Sequence, residues 1–408
     1  MKIFFSVGEP SGDLHGANLI GELRKRVDGV TCVGYGGPRM AAAGCQLHED
    51  LTELAVMWVS RVLLNLHHFL RLIFRADRYF RDQRPDAVVL IDYPGLNWWI
   101  ARRAKARGIP VIYYGTPQLW AWAPWRIKKM QRYVDHILCK LPFEEDWFRQ
   151  RGCAAHYVGH PYFDELNTRA VDRALVAHYQ HQTGPLVTIL PGSRTQEVID
   201  NLPDFLRAAS SIRRELPQCR FVIACFNEAQ ARIARQMVLM ERMDCEVRFG
   251  ATPELIEAAT ACLACSGSVS LELLYLAKPA VISYRVSHAA YWLQSKLRNV
   301  RYITLVNLLA TPDAFVGASE AYDPDEPNGV QVPFPEYLSC DDKSAQMAGQ
   351  LVNYLCDNQV RSKKIEELEQ LKGMYAQTGA SLRAAERICD ILGVAAGKIS
   401  TNRVAKAA

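Results

Sequence analysis

Short apolar runs alternate along the chain with longer segments in which apolar residues recur at helical spacing. We predict strands at 2–7, 30–34, 87–91, 110–114, 136–139, 155–158, 187–190, 220–225, 246–249, 261–265 and 280–284. The five consecutive apolar residues at 87–91 are typical of a central parallel strand, which is covered on both faces. Strands that alternate with helices predict an α/β protein with parallel sheets.

The length of the chain, 408 residues, exceeds that of one ordinary domain and predicts two. A polar, weakly patterned segment at 167–185 is the predicted linker. We therefore expect an N-terminal domain at 1–170 and a second domain at 171–375. The C-terminal helix and tail at 376–408 are expected to pack back on the N-terminal domain or on a partner subunit.

The composition is that of a soluble globular protein, with 49% apolar and 22% charged residues. No apolar run approaches the ~18 residues that span a membrane, and the first run is too short for a secretory signal. The twelve cysteines are scattered, as expected for reduced thiols in a cytoplasmic chain. Cys262 and Cys265 have the spacing of half a zinc site, but they fall in a predicted strand and are interpreted as core.

Positive charge is concentrated in the first half of the chain. Residues 56–134 contain fourteen Lys or Arg and four Asp, a local charge of +10 within a total of +5. The segment 57–79 in this region predicts a basic amphipathic helix. Its apolar side packs on its own sheet or lies in a membrane interface, where the face would contain Trp58, Leu63, Leu66 and Phe69. The pattern supports the two alternatives about equally.

The segment 187–197, VTILPGSRTQE, predicts a strand, a tight glycine turn and a helix. In an open α/β sheet such a turn presents free backbone N–H groups at the positive end of a helix, where anions bind. Ser193 adds a hydroxyl donor, and the Arg194 guanidinium can bind phosphate oxygens in pairs. An ordinary turn with a surface arginine is the alternative.

A second turn of this kind follows the strand at 261–265. Ser266, Gly267 and Ser268 lead into a helix, and Glu272 lies one turn beyond Ser268 on the same helix face. A carboxylate there can accept hydrogen bonds from ribose hydroxyls while the turn holds a pyrophosphate. Two anion-binding turns in one α/β domain favour a nucleotide diphosphate as ligand.

The first strand also ends in a glycine-rich turn, GEPSGDLHG at 8–16. It lacks the spacing of dinucleotide sites and the GK[ST] of P-loops, so neither NAD nor ATP is indicated. Glu9, Ser11 and His15 are candidate cleft residues, although Ser11 or Asp13 can also act as a helix cap. Asp92 ends the strand at 87–91, where α/β enzymes place catalytic groups, and we rank catalysis above helix capping for it.

Trp120, Trp122 and Trp125 fall within six positions and either pack a loop or line a cleft for an apolar ligand. The region 310–340, rich in Pro, Asp and Glu, is predicted to be a long loop. Its Asp323-Pro-Asp325 matches the DxD of some metal-dependent sugar transferases. Because it follows no strand and contains a proline, it is interpreted as solvated loop, and no metal or other cofactor is expected.

Eight motifs in order resemble lipid-A-disaccharide synthase, a GT-B enzyme of glycosyltransferase family 19. They are the segments 8–16, 37–40, 91–97, 120–122, 159–161, 191–194, 266–272 and 307–309. The resemblance implies two Rossmann-like domains facing across a cleft. It also implies an inverting transfer from UDP-2,3-diacylglucosamine to 2,3-diacylglucosamine 1-phosphate, with release of UDP. A peripheral position on the cytoplasmic face of the inner membrane, an anionic membrane surface as partner and no nucleic acid partner are expected, and homodimer formation is left open.

The resemblance assigns roles to individual residues. Asp92 resembles the catalytic carboxylate, Arg194, Glu197, Ser268, Glu272 and Asn307 resemble donor-site residues, and Glu9 and Ser11 resemble residues of the opposite cleft wall. The residue patterns themselves add Ser193, Ser266 and Gly267 to the donor site and His15, Trp120 and Trp122 to the cleft. They also make His15 a competing base. The segment 310–335 is longer than the family pattern, and Pro335-Glu336 is its displaced equivalent of a Pro-Glu that normally follows Asn307 closely.

Two alternatives belong to other classes of protein. A UDP-sugar epimerase shares the architecture and the phosphate turns, but it does not need the basic helix or the tryptophan cluster. A non-catalytic membrane-surface protein explains the basic half but not the paired turns. Release of free UDP during the reaction would exclude the epimerase, and binding of UDP would exclude the non-catalytic membrane-surface protein.

Overall fold

The computed structural model describes residues 1–52, 66–315, 321–326 and 331–394. The chain forms two compact units, one containing residues 1–164 and 378–408 and the other containing residues 165–377. Each unit is a parallel α/β sheet with helices on its faces, as the alternation of the sequence predicts.

The first unit contains a seven-stranded parallel sheet in the order β3-β2-β1-β4-β5-β6-β7. Its strands are β1 (Lys2–Val7), β2 (Thr31–Gly36), β3 (Gln46–Asp50), β4 (Ala87–Ile91), β5 (Val111–Tyr114), β6 (His136–Cys139) and β7 (Ala155–Tyr157). All five residues of β4 are buried, which confirms the interpretation of this run as a central strand. The chain reverses its winding between β1 and β4, so the carboxyl ends of these neighbours border the switch point of the sheet.

The helices of the first unit connect these strands. They are α1 (Pro10–Arg26), α2 (Pro38–Ala42), α3 (Leu66–Gln83), α4 (Pro94–Ala106), α5 (Leu119–Trp122), α6 (Ile127–Tyr133) and α7 (Pro142–Arg149). The helix α8 (Tyr162–Thr168) lies at the boundary of the units. The last helix of the described chain, α18 (Ala380–Ile391), packs against α1 and buries Ala384 and Ile388 in the same core as Leu19 and Leu23.

The second unit contains a six-stranded parallel sheet in the order β10-β9-β8-β11-β12-β13. Its strands are β8 (Leu186–Leu190), β9 (Arg220–Cys225), β10 (Glu246–Phe249), β11 (Ala261–Cys265), β12 (Ala280–Arg285) and β13 (Glu336–Ser339). Cys262 and Cys265 are buried in β11 and form no disulfide, which confirms their interpretation as core. The switch point lies between β8 and β11, the two strands whose turns are the predicted anion sites.

The helices of the second unit begin after the boundary helix α8. They are α9 (Arg173–Gln180), α10 (Thr195–Glu215), α11 (Glu228–Met240), α12 (Thr252–Ala258), α13 (Val269–Tyr275), α14 (His288–Leu297), α15 (Leu305–Ala310), α16 (Ser344–Cys356) and α17 (Asn358–Tyr375). The segment predicted to be a linker therefore contains a helix, α9, whose first turn is capped by Asp172. The region 310–340, predicted to be loop throughout, ends instead in β13, an edge strand paired with β12.

Candidate active site

Asp92 stands at the switch point of the first sheet in an uncommon backbone conformation. Its φ is 43° and that of Tyr93 is 44°, in the left-handed region that side chains other than glycine seldom adopt. The carbonyl of Asp92 accepts hydrogen bonds from Asn97 Nδ2 at 2.7 Å and from the Tyr113 hydroxyl at 2.6 Å. The amide of Asp92 donates to the Gly115 carbonyl at 3.2 Å. Asp92 is therefore fixed by the surrounding side chains and does not cap α4 with its side chain.

A close backbone approach at the end of β1 completes this arrangement. The ring of Tyr93 packs on Gly8, where a Cβ atom would lie only 2.3 Å from the ring. A glycine is therefore required at position 8 if Tyr93 and Asp92 are to keep their positions. The requirement explains physically why the first residue of the GEPSG turn is a glycine.

Lys140 lies directly after β6 and faces Asp92. Its Nζ is 3.3 Å from Asp92 Oδ1, and the two side chains are 17% and 20% exposed. Burial raises the pKa of the Asp92 carboxyl above its ordinary value, and the Lys140 ammonium offsets only part of this. Burial acts to lower the pKa of Lys140, but Asp92 and Glu144 outweigh it and raise that pKa. The site therefore combines a carboxylate of increased basicity with a fixed positive charge.

His15, the competing base, is buried in the same region. Its ring lies 6.2 Å from the ring of His160, edge to face. Burial, assisted by the charge of Lys140, lowers the pKa of His15 to about 3. Burial likewise lowers the pKa of His160 well below its usual range. Burial thus moves the pKa of His15 away from neutrality and that of Asp92 towards it, which favours Asp92 as a base at neutral pH.

The remaining polar residues of the first turn differ in their environment. Asp13 is buried and accepts hydrogen bonds from the amides of Gly37, Arg39 and Met40 at 2.9–3.0 Å, so it caps α2. Ser11 is exposed, and Glu9 is half-buried at the residue before α1 without capping that helix. Glu9 and Ser11 therefore both lie at the carboxyl edge of the sheet, on the same side as Asp92.

Trp120 is a core residue, contrary to its predicted place in a cleft wall. It is 1% exposed, and its Nε1 donates to Glu144 Oε1 at 3.0 Å. Glu144 Oε2 in turn accepts from the Lys140 amide at 3.0 Å. Trp120 thus supports the segment that positions Lys140. Trp122 is 40% exposed, and the Arg126 guanidinium lies 4.7 Å from the centre of its ring.

The predicted membrane-facing residues can be located only in part. Trp58 and Leu63 lie outside the described residues, as does the side chain of Leu66. Phe69 is half-buried on α3. The described part of α3 buries another side, which includes Leu72 and Phe80.

The first turn of the second unit joins β8 to α10. Gly192 has φ 131°, and a Cβ there would lie 2.5 Å from the side chain of Glu197. Glu197 Oε2 accepts from the amides of Ser193 and Arg194 at 3.0 and 3.1 Å, and Oε1 pairs with the Arg194 guanidinium at 2.9 Å. The amides predicted to hold phosphate are therefore already occupied by a carboxylate that caps its own helix. Ser193 and the guanidinium of Arg194 remain exposed at the turn.

The second turn joins β11 to α13. Gly267 and Ser268 are exposed, whereas the Ser266 hydroxyl donates to the Ile303 carbonyl at 3.1 Å. Glu272 is buried and pairs with Arg169 at 2.7 Å. The predicted contact of Glu272 with ribose hydroxyls therefore competes with an existing ion pair.

Asn307 lies in the core, with its side chain bound to neighbouring segments of its own unit and not exposed at the donor site predicted for it. The side chain is fully buried, and its Oδ1 accepts from the Phe334 amide at 3.0 Å. Its Nδ2 donates to the Phe334 carbonyl and to Glu336 Oε2, both at 2.8 Å. Both polar atoms are used within the protein, so Asn307 holds its segment in place.

Two further residues of these sites, Lys140 and Gln230, are not among those predicted from the sequence. Lys140 carries a usable signal, because it directly follows a predicted strand just as Asp92 does, yet it is absent from the predicted site. Gln230 donates from Nε2 to the Ser193 carbonyl at 2.8 Å, and its Oε1 accepts from the Phe226 amide at 3.0 Å. It carries no comparable signal in the sequence because it lies within α11. Its position depends on the packing of that helix.

In each unit, polar side chains collect at the switch point of a parallel sheet, which is where enzymes of this architecture bind nucleotides and nucleotide sugars. The same fold is found in a Staphylococcus aureus MnaA–UDP structure, at 12% identity and a TM-score of 0.62, covering 96% of this chain and 97% of that one. It is also found in the spinosyn forosaminyltransferase SpnP, at 13% identity and a TM-score of 0.58, covering 96% and 99%. The fold is therefore that of the GT-B glycosyltransferases and the related epimerases, as the sequence predicts.

Sequence comparisons define the family within this class. Residues 3–316 match the model described as lipid-A-disaccharide synthetase. The chain is 31% identical to the lipid-A-disaccharide synthase of Myxococcus xanthus (strain DK1622) and 32% identical to that of Anaeromyxobacter sp. (strain K), covering 96% of this chain and 97% of each relative. The chain belongs to the lipid-A-disaccharide synthase family. It is a hexosyltransferase of lipid A biosynthesis, which confirms the resemblance drawn from the motifs.

Proposed function

We propose that the protein joins UDP-2,3-diacylglucosamine to 2,3-diacylglucosamine 1-phosphate, giving the β-1′,6-linked disaccharide 1-phosphate and UDP. The observation that carries this proposal is the position of Asp92, a carboxylate of raised pKa held at the switch point of the first sheet. The exposed turns at the switch point of the second sheet support binding of a diphosphate. MnaA, a protein of the same fold, has a structure with UDP, which is consistent with such a donor.

In the proposed reaction the 6-hydroxyl of the acceptor attacks the anomeric carbon of the donor from the face opposite UDP. The new C1–O6 bond forms as the C1–O bond to UDP breaks, and the electron pair of that bond leaves with UDP. Asp92 takes the proton of the 6-hydroxyl, a role typically worth ~10²–10⁴ in rate. Arg194, whose side chain is 76% exposed at its turn, stabilises the charge that develops on the leaving diphosphate.

The first unit has a surface suited to a membrane that carries these lipids. The helix α3 packs on α4, and α4 packs on α6. Large apolar side chains that are 40–58% exposed lie on or near these helices, namely Leu70, Phe74, Trp99, Trp122 and Trp125. Arg102, Arg103 and Arg126 lie over the rings of Trp99, Phe74 and Trp122 at 6.0, 5.7 and 4.7 Å.

Aromatic rings with adjacent guanidinium groups are typical of surfaces that enter the headgroup region of an anionic bilayer. We name this set of five apolar residues the aromatic face, and it supports a peripheral position on the membrane. In the described part of the chain, no helix is long and apolar enough to cross a bilayer.

The test is incubation of the purified protein with both lipid precursors, with products analysed by mass spectrometry and proton NMR. Formation of a disaccharide 1-phosphate with a β anomeric coupling, together with one equivalent of UDP, is the expected result. Isomerisation of the UDP-sugar without release of UDP would instead identify an epimerase. A disaccharide with α configuration would refute the inverting mechanism.

A further inference from the structure

Glu336 opens the edge strand β13 and is only 2% exposed. Its Oε1 accepts from the Ile303 amide at 2.7 Å. Its Oε2 accepts from the Thr304 amide at 3.0 Å and from Asn307 Nδ2 at 2.8 Å. Three N–H groups therefore converge on one buried carboxylate, which defines the conformation of the chain that leads into α15.

Asn307 extends this contact to the other end of the long segment 310–335. Its two side-chain atoms bind the amide and the carbonyl of Phe334, two residues before Glu336. We call Ile303, Thr304, Asn307, Phe334 and Glu336 together the 303–336 clasp. The clasp joins the start of the long segment to its end.

The clasp also reaches the second turn of the predicted donor site. The Ser266 hydroxyl donates to the carbonyl of Ile303 at 3.1 Å. The amide of the same Ile303 donates to Glu336. Ile303 is thus held by Glu336 through its N–H and by Ser266 through its carbonyl, and this connects β13 directly to the turn between β11 and α13.

We propose that Glu336 and Asn307 are positioning residues, which fix Ile303 and thereby orient Ser266 and the 266–268 turn for the nucleotide diphosphate of the donor. The inference rests on the proposed function, since it assumes a UDP-sugar at this turn. A buried carboxylate is costly, and an apolar residue of similar volume is often at least as stable. A carboxylate at this position is useful if its three directed hydrogen bonds are needed for the geometry of the turn.

Protonation of Glu336 provides an independent readout of this role. Burial raises the pKa of Glu336 to about 7, although its hydrogen bonds oppose the increase. A protonated carboxyl would direct an O–H towards groups that are themselves donors, so the clasp weakens as the pH falls through about 7. Among the described residues, Tyr322 is a titratable group that interacts electrostatically with Glu336, and burial raises its pKa, so it stays neutral in this range. Arg301 lies beyond it, 5.8 Å from the centre of the Tyr322 ring.

The experiment compares Glu336→Gln with the wild-type enzyme. The amide nitrogen of glutamine replaces an acceptor by a donor, so we expect the KM for the UDP-sugar to rise about tenfold while kcat and the acceptor KM change less than about twofold. The donor KM of the wild type should rise as the pH falls below about 7, and that of Glu336→Gln should not depend on pH there. Glu254→Gln is the matched control, because Glu254 is buried in the same unit and accepts from the Asp172 amide at 3.0 Å.

The outcomes separate this inference from the proposed function. If the wild type forms no disaccharide, the proposed function fails. If it is active but Glu336→Gln and Glu254→Gln have equal donor KM values, the positioning role is refuted. Should Glu336→Gln not fold, the affinity of the wild type for the UDP-sugar donor, measured by calorimetry across pH 7, decides the matter, because the diphosphate diester of a UDP-sugar has no ionisation of its own in this range. Weaker donor binding at acid pH supports the clasp, and unchanged binding overturns it.

Discussion

The Nζ of Lys140 lies 3.3 Å from Oδ1 of Asp92, and the two side chains come from the carboxyl ends of different strands, β6 and β4. The pair balances two opposing effects on the carboxylate. Burial raises the pKa of Asp92, which makes it a better proton acceptor, and the Lys140 ammonium acts in the opposite direction by favouring the ionised carboxylate. The activity of such a base depends on pH through the ionised fraction.

Replacement of Lys140 by methionine should move the pH dependence of the reaction. Without the ammonium, the pKa of Asp92 rises further above its ordinary value. A base must be ionised to act, so the acid limb of the kcat/KM profile should shift to higher pH in Lys140→Met. Lys140→Arg keeps the charge and should leave the limb close to that of the wild type. An identical limb in Lys140→Met would show that the ion pair does not control the base.

Arg194 should be the main ionic contact to the diphosphate, because the amides of its own turn are occupied by Glu197. We expect Arg194→Ala to lose about 1.5–3 kcal/mol of UDP binding free energy, measured by calorimetry. Arg235→Ala is a suitable control. Arg235 lies on α11, is also exposed, and is paired with Glu228 on that helix, as Arg194 is paired with Glu197. Equal UDP affinity in Arg194→Ala and Arg235→Ala would contradict the assignment.

The aromatic face should hold the enzyme on anionic membranes. The triple change Leu70→Ser, Phe74→Ser and Trp99→Ser removes exposed side chains, so it should reduce sedimentation with vesicles containing anionic lipid and leave the melting temperature nearly unchanged. Leu72→Ser on the same helix is the contrasting variant, because Leu72 is 2% exposed. It should lower the melting temperature, as expected of a core position. Wild-type vesicle binding by the triple variant would exclude a membrane role for this face.

The strand and helix framework follows from the sequence because buried parallel strands are almost entirely apolar. The strands β1, β4, β6 and β11 have the bounds that their apolar residues predict. The strand β13 escapes prediction because it begins with Glu336 and follows a segment rich in Pro and Asp. The pairing with β12 and the contacts of Glu336 are tertiary, and a local pattern cannot report them.

The sequence also predicts part of the candidate site, namely the residues whose position follows from the end of a buried strand. The position of Asp92 at the end of a buried strand can be inferred from the sequence, since the carboxyl ends of parallel strands meet at one edge. The burial of individual polar side chains cannot be inferred from the sequence. Asn307 and Trp120 therefore resemble ligand contacts in the sequence but are satisfied within the core. Glu197 is assigned to the donor by its motif, yet it caps the turn itself.

Turnover should not require a divalent metal. Asp325 accepts from the Tyr337 hydroxyl at 3.2 Å, and Asp323 accepts from the Asp325 amide at 3.0 Å, so the DxD-like pair is used within its own loop. Arg194 can stabilise the leaving diphosphate in place of a cation. We expect activity in the presence of excess EDTA to equal that of the untreated enzyme. Loss of activity with EDTA and recovery with magnesium would refute this prediction.

Asp92 and His15 are the two candidates for the base that takes the proton of the acceptor hydroxyl. Asp92→Asn keeps the size of the side chain and most of its hydrogen bonding but removes its basicity. The backbone at 92 is held by Asn97 and Tyr113, so the variant should keep the fold and bind UDP normally, while loss of the charge opposite the buried Lys140 should lower its melting temperature. Its kcat should fall by ~10²–10⁴, the usual contribution of a positioned base.

His15→Gln provides the comparison that assigns the base. With a pKa lowered to about 3 by burial, the His15 imidazole is neutral at pH 7 and too weakly basic to hold a proton taken from a hydroxyl. We therefore expect His15→Gln to retain far more activity than Asp92→Asn, and to leave the acid limb of the pH profile in place because that limb belongs to Asp92. If Asp92→Asn loses less than about tenfold in kcat while His15→Gln is inactive and folded, the base is His15. Asp92 would then be a group that holds Lys140 and the adjacent turn.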